Sequence, residues 1–166
     1  MKECSQINVR AAELMDGDAV WSVLEPVIRA GETYALARDL SRMDALAYWF
    51  CEENEVYVAC EDGEIVGTYF LKANHSGGGA HVANAGYVTA AHAKGRGVAQ
   101  TMLEHSLARA TERGFLAMQF NFVISSNEAA VRLWQKNGFE IVGKMPKVFL
   151  HPDLGYVDAF VMYRKL

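Results

Sequence analysis

The strongest constraint on the fold is an unbroken succession between His81 and Ile124: strand, glycine-punctuated turn, amphipathic helix, strand. A crossover helix in the middle of the chain, with hairpins before it, asks for a mixed sheet with helices. From Gly97 to Arg113, the residues Val98, Ala99, Met102, Leu103, Leu107 and Ala110 recur at three- and four-residue spacing, and Gly114 supplies the stop. His81–Thr89 and Phe115–Ile124 are the strand-like flanks.

The rest of the chain asks for antiparallel pairing. Val56–Cys60 and Ile65–Leu71 read as strands joined at Glu61-Asp-Gly-Glu64, a hairpin signal. Ile7–Arg10 reads as a short first strand. A helix capped by Asp16 or Asp18 places Val20, Leu24, Val27 and Ile28 on one face and ends at Gly31. Glu32-Thr-Tyr34 follows as a loop. Ser41-Arg-Met-Asp44 resembles a capping box and opens a helix to about Phe50. Asn74–Gly79 is a loop, and Asn127–Asn137 a helix with Ala130, Val131 and Trp134 on one stripe, closed by Gly138. Phe139–Gly143 and Tyr156–Tyr163 complete the strands. The expected fold is α/β (α+β), one domain over residues 1–166, with a mixed, mostly antiparallel sheet of about seven strands and about four helices.

Composition narrows the function classes. With 166 residues, 51% of them apolar, the chain is long enough to bury a full core as one domain. A net charge of -4 argues against nucleic acid as the main partner. No apolar run approaches a membrane span, and Met1–Val9 has no apolar signal core, so the expected location is the cytoplasm. Cys4, Cys51 and Cys60 lack the paired spacing of a zinc site, and His75, His92 and His105 show no ligand arrangement. No metal is expected.

Lys94-Gly-Arg-Gly-Val-Ala99 sits where a strand ends and a helix begins. The first helical turn leaves backbone N–H groups without partners and carries partial positive charge, so it accepts a pyrophosphate. Gly95 and Gly97 let phosphate oxygens approach the backbone, and Lys94 and Arg96 can add charge-assisted contacts. A dinucleotide fingerprint would need glycine where Gln100 stands, and a nucleotide P-loop would need Gly-Lys-Ser/Thr, which is absent.

With the second half in view, the chain resembles the GCN5-related N-acetyltransferase (GNAT) superfamily. That family carries Arg/Gln-x-x-Gly-x-Gly/Ala at its pyrophosphate loop, matched by Lys94–Ala99 except at the first position. It then often shows Asn-x-x-Ala-x-x-Leu-Tyr-x-Lys-x-Gly-Phe, matched by Asn127, Ala130, Leu133, Lys136, Gly138 and Phe139. The resemblance implies a sheet splayed in its middle and acetyl-CoA as cosubstrate. The implied contacts are Tyr87, Val88 and Thr89 along the pantetheine, Lys94, Gly95, Arg96, Gly97, Val98 and Ala99 at the phosphates, Asn127 near the thioester, and Ala130 and Trp134 at the cofactor, with Trp134 as a core or pantetheine-wall residue. Trp134 replaces the tyrosine that protonates the departing thiolate in many relatives, and an indole N–H cannot donate a proton in that way.

A narrower resemblance joins Asn84, Asn121 and Asn127 to the asparagine set of fungal acetyltransferases acting on proline analogues such as azetidine-2-carboxylate. It implies a catalytic role for the three, with Asn84 and Asn121 also beside the acceptor. Asparagine is depleted in strand interiors, so Asn84 and Asn121 either belong to a site or satisfy backbone groups at a splay or bulge.

The implied chemistry is direct attack of an amine on the thioester carbonyl, with a backbone N–H near Val88 facing the developing oxyanion. The amine must be neutral. A lysine-like ammonium costs about 4 to 5 kcal/mol to deprotonate at neutral pH, a peptide α-amino group only about 1 to 1.5. No Asp or Glu lies inside the two central strands, which leaves an ordered-water route through the asparagines or a base such as Glu32 or His81. Glu32 and Tyr34 are expected to border the acceptor, and the late loop His151-Pro-Asp-Leu-Gly155 either borders it too or serves as a turn. The expected partner is a small-molecule amine, with a homodimer left open. A protein N-terminal or lysine acetyltransferase and a non-catalytic coenzyme A-binding module are the competing readings.

Overall fold

The computed structural model describes residues 6–166, which leaves Cys4 outside the described residues. Seven strands form one sheet: β1 (Asn8–Ala11), β2 (Glu55–Glu61), β3 (Glu64–Ala73), β4 (Val82–Thr89), β5 (Ala117–Ile124), β6 (Glu140–His151) and β7 (Gly155–Lys165). Their spatial order is β1-β2-β3-β4-β5-β7-β6, and every pair is antiparallel except β4–β5. Four α-helices accompany them: α1 (Gly17–Ala30), α2 (Arg42–Trp49), α3 (Val98–Glu112) and α4 (Glu128–Lys136). The mixed, mostly antiparallel sheet of seven strands with four helices is the expected architecture.

Residue parity along β3 assigns the helices to faces, since neighbours on a strand point to opposite sides. Trp49 of α2 donates its indole N–H to Thr68 and packs edge-on against Phe70, with ring centroids 5.0 Å apart. Tyr69 instead bonds His105 of α3 at 2.6 Å, and a Cβ built on Gly67 would lie 2.8 Å from Val98. So α1 and α2 cover one face and α3 the other. On β4, Tyr87 bonds Ser106 of α3 and stands 5.1 Å from the Trp134 ring, which puts α4 on the α3 side.

Several termini form as the sequence asks. Gly31, Gly114 and Gly138 take positive φ at helix ends. Ser41 accepts from the Asp44 N–H and donates to its carboxylate at 2.6 Å. Asp62 and Gly63 both have positive φ in the β2–β3 turn, the geometry of a primed hairpin turn.

Two expectations need correction. Asp16 stands at the N-cap position of α1 and Asp18 lies inside the helix, but the Asp16 side chain bonds no α1 amide: its carboxylate takes two hydrogen bonds from Arg10, at 2.7 and 2.9 Å, and one from the Glu13 N–H. The last hairpin is longer than Phe139–Gly143 suggests, because β6 continues to His151 through irregularities between Met145 and Phe149. Its tip is the His151–Gly155 segment, where His151 Nδ1 accepts from the N–H groups of Asp153 and Leu154, so this segment serves as a turn.

Candidate active site

The centre of the sheet opens. β4 and β5 pair only at Val82↔Ala117 and Ala83↔Met118, after which they part. Asn74 N–H donates to Val82 O and Ala90 N–H to Val66 O, so the even-numbered residues of β4 bond to β3. The odd-numbered residues Ala85, Tyr87 and Thr89 therefore turn their amides and carbonyls toward the gap. Val88 lies opposite Thr68 with its backbone groups turned to β3, so the gap-facing amides beside it are those of Tyr87 and Thr89.

At the open end of the gap, the chain turns through Ala91–Ala93 and enters the loop. Gly95 has φ 76° and Gly97 has φ 88°, values that favour glycine. A Cβ built on either meets nothing within 4 Å, so the space beside both backbones is open to a ligand. Gly97 caps α3 without a side chain, and the first helical bond runs from Thr101 N–H to Gly97 O. The amides of Val98, Ala99 and Gln100 precede it and carry no helical partner. The Val98 side chain is buried beside Gly67 while its N–H stays at the helix start. These residues fit a pyrophosphate: unpartnered amides, an oriented dipole and room for oxygen atoms.

The two loop cations behave differently. Lys94 is exposed and lines a cleft of about 470 Å³ between α1 and the end of β4, shared with Val23, Glu32 and Thr89. Arg96 is turned away into an ion pair with Glu61 at 2.6 Å. Gln100, which excludes the dinucleotide motif, exchanges two amide hydrogen bonds with Asn137 and ties α3 to the end of α4.

At the closed end, side chains replace backbone. Asn84 donates to the Gln119 carbonyl at 2.9 Å, just where the strands part. Gln119 donates to Asn121 Oδ1 at 2.8 Å, and Asn121 donates to Asn74 Oδ1 at 2.6 Å. Asn121 lies in the register shift of β5 between Phe120 and Val123. Asn84 and Asn121 are thus brought together through Gln119, one satisfying a backbone group and the other a side-chain chain. Asn127 instead caps α4, accepting from the Ala130 N–H at 3.4 Å. Ala130 is half-buried behind it.

Tyr34 joins the loop after α1 to the gap. Its hydroxyl donates to the Tyr87 carbonyl at 3.1 Å, and burial pushes its phenol pKa up. Gly86 permits the approach, since a Cβ there would lie 2.6 Å from the Phe70 ring and 2.9 Å from the Tyr34 oxygen. Glu32 is exposed on the rim of the 470 Å³ cleft. His81 is exposed just before β4, with its carbonyl accepting from Leu116. Trp134 is buried among Tyr87, Phe120 and Phe139, at ring separations of 5.1, 4.9 and 6.3 Å.

Sequence reasoning passed over Gln119, Asn74, Gly86 and Glu61. Gly86 carried a signal, because glycine inside a strand marks a close approach. The other three carried none: Glu61 and Asn74 find Arg96 and Asn121 far along the chain, and Gln119, whose side chain meets Asn121 on its own strand, receives Asn84 from another. Among the described residues, no three His, Cys, Asp or Glu side chains group as a metal site, and no helix is long and apolar enough to cross a membrane.

Comparison with known proteins agrees with this geometry. Residues 25–139 match the family described as acetyltransferase (GNAT). A GCN5-related N-acetyltransferase from Kribbella flavida superimposes with a TM-score of 0.92 at 38% identity, covering 96% of this chain and 98% of that one. N-acetyltransferase aca1 of Schizosaccharomyces pombe is 25% identical over 81% of this chain and 72% of its own length. L-amino acid N-acetyltransferase AaaT of Escherichia coli is 31% identical over 64% of this chain and 65% of its own length.

Proposed function

Because the chain belongs to the acetyltransferase (GNAT) family, we propose that it transfers the acetyl group of acetyl-CoA to the amine of a small molecule, an amino acid or a close analogue. The observation that carries this reading is the parting of β4 from β5 after Ala83 and Met118, with a glycine-cradled helix start at the open end of the gap. The amino-acid class draws support from the L-amino acid acetyltransferase at 31% identity and from the uncharged amides at the closed end. Amides offer both donors and acceptors to a polar zwitterion without adding a charge to desolvate. Within that class, a proline-analogue acceptor follows from the Asn84, Asn121 and Asn127 resemblance.

In this mechanism the loop amides and Lys94 hold the diphosphate, and Tyr87 and Thr89 line the pantetheine with backbone groups. A gap-facing N–H of β4 takes the carbonyl oxygen as charge develops there. The amine nitrogen forms the new bond to the acyl carbon as the carbon–sulfur bond breaks. Asn84 and Asn121 orient the amine and a water that removes its proton, and Asn127 orders the water that protonates the sulfur. Trp134 walls the cleft and donates no proton. Glu32 and Tyr34 border the acceptor side.

Thiol release from acetyl-CoA, measured across free amino acids, cyclic imino acids, polyamines and peptides, tests the reading. Turnover with amino acids or their analogues is expected. Turnover confined to peptides, or tight binding without any turnover, would replace it with a protein acetyltransferase or a binding module.

A further inference from the structure

Arg96 lies between two positive-φ glycines in the phosphate loop, where a direct ion pair with the ligand would be the simplest role for it. Its guanidinium is instead engaged by Glu61, the last residue of β2, at 2.6 Å. Glu61 is a buried carboxylate, 7% exposed, at the start of the β2–β3 turn. A buried carboxylate deprived of its partner is strongly destabilised, so Glu61 holds the arginine firmly. Beside it, His92 of the Ala91–Ala93 turn stands 3.3 Å from Glu64, the first residue of β3, at the exposed surface. The loop that presents its amides is thereby tied through Arg96 to the tip of a hairpin on the neighbouring strands.

We propose that Glu61 and Arg96 are positioning residues for the cosubstrate. The pair braces the glycine loop in its binding shape, and Arg96 is not itself a phosphate ligand. The physical need is entropic. Gly95 and Gly97 flank Arg96 and can adopt many backbone conformations, so an unanchored loop would have to be ordered at the moment of binding. Fixing the residue between them removes much of that cost in advance. This inference rests on the acetyl-CoA reading and revises the role expected of Arg96.

The sign of one substitution separates the brace from direct contact. If Arg96 were to bind phosphate, Glu61 would compete for it, and Glu61→Gln would tighten acetyl-CoA binding. The brace requires the opposite. Glu61→Gln and Arg96→Gln each raise the Kd and KM for acetyl-CoA by about five-fold, and the double variant is no worse than either single. The kcat at saturation and the acceptor KM stay within about two-fold of the parent, and Arg96→Lys recovers part of the loss. If Glu61→Gln does not fold, Arg96→Gln decides the matter through salt dependence. Loss of a phosphate ligand flattens the dependence of Kd on ionic strength, whereas loss of the brace leaves its slope unchanged. Unchanged or tighter binding by Glu61→Gln, or a flattened slope in Arg96→Gln, overturns the proposal. Titration of the parent protein in the same series keeps the two readings apart: if it takes up no acetyl-CoA, the functional reading itself fails.

Discussion

The two ends of the central gap solve opposite problems with different materials. At the open end, Gly95, Gly97 and the first turn of α3 present main-chain amides and leave space where side chains would be. At the closed end, the Asn84 side chain meets the Gln119 carbonyl where the strands part, and the side chains of Gln119, Asn121 and Asn74 run on from it in a chain of amides. Backbone recognition depends on local conformation and so on local sequence. Side-chain recognition depends on residues brought together from three segments. The first suits an invariant cosubstrate handle, and the second suits an acceptor whose identity is chosen by a few groups.

The contrast can be broken most forcefully at Gly97. Gly97→Val places a branched side chain at φ 88° and into the open cradle. Acetyl-CoA affinity should fall by about 10- to 100-fold, or roughly 1.4 to 2.8 kcal/mol, with the fold retained. Calorimetric titration checks this, and an unchanged Kd would remove the loop from the site. Next in size is Asn84→Ala, which leaves the Gln119 carbonyl without its 2.9 Å donor. It should cost about 1 kcal/mol of stability and lower kcat about ten-fold, with the acetyl-CoA Kd nearly unchanged. Denaturant melts and steady-state kinetics on one sample separate the two effects.

Asn121→Ala sharpens the contrast further. Asn121 is exposed, so stability should move by less than about 0.5 kcal/mol while the acceptor KM or kcat shifts several-fold. Equal activity would make Asn121 part of the scaffold only. The smallest catalytic effect is expected from Asp16→Asn, remote from both ends. Arg10 holds the Asp16 carboxyl below the usual carboxylate range, so the ionised form favours the folded state. That stabilisation is present above the unfolded value near pH 4 and is lost as pH falls through the lower folded value. The variant should lose about 1 kcal/mol at neutral pH, a modest figure because Arg10 is partly exposed, and converge on the parent in strong acid. Denaturant unfolding at pH 7 and pH 2.5 reads this directly, with both KM values unmoved.

The same contrast explains what the sequence made legible. The α3 and α4 boundaries, the Asp62-Gly63 turn and the phosphate loop all rest on glycine or capping chemistry within a few residues, and each is where its pattern puts it. The length of β6 was hidden because Pro146 interrupts the strand pattern and Lys147 adopts φ 52° inside an irregular stretch. Asp16 had a cap's position but found Arg10, six residues earlier, across the β1–α1 connection. Arg96 had a phosphate ligand's position, and its carboxylate partner lies thirty-five residues upstream in another hairpin. The Gln119 bridge between two asparagines needed the strand splay itself before it could be seen.

Amide hydrogen exchange with and without coenzyme A is the most direct test that main-chain groups hold the cosubstrate. Slowed exchange should appear from Gly95 to Gln100 and at Ala85, Tyr87 and Thr89, with the β6–β7 hairpin unchanged. Protection confined to other segments, or none at saturating ligand, would contradict the assignment of the gap and its loop.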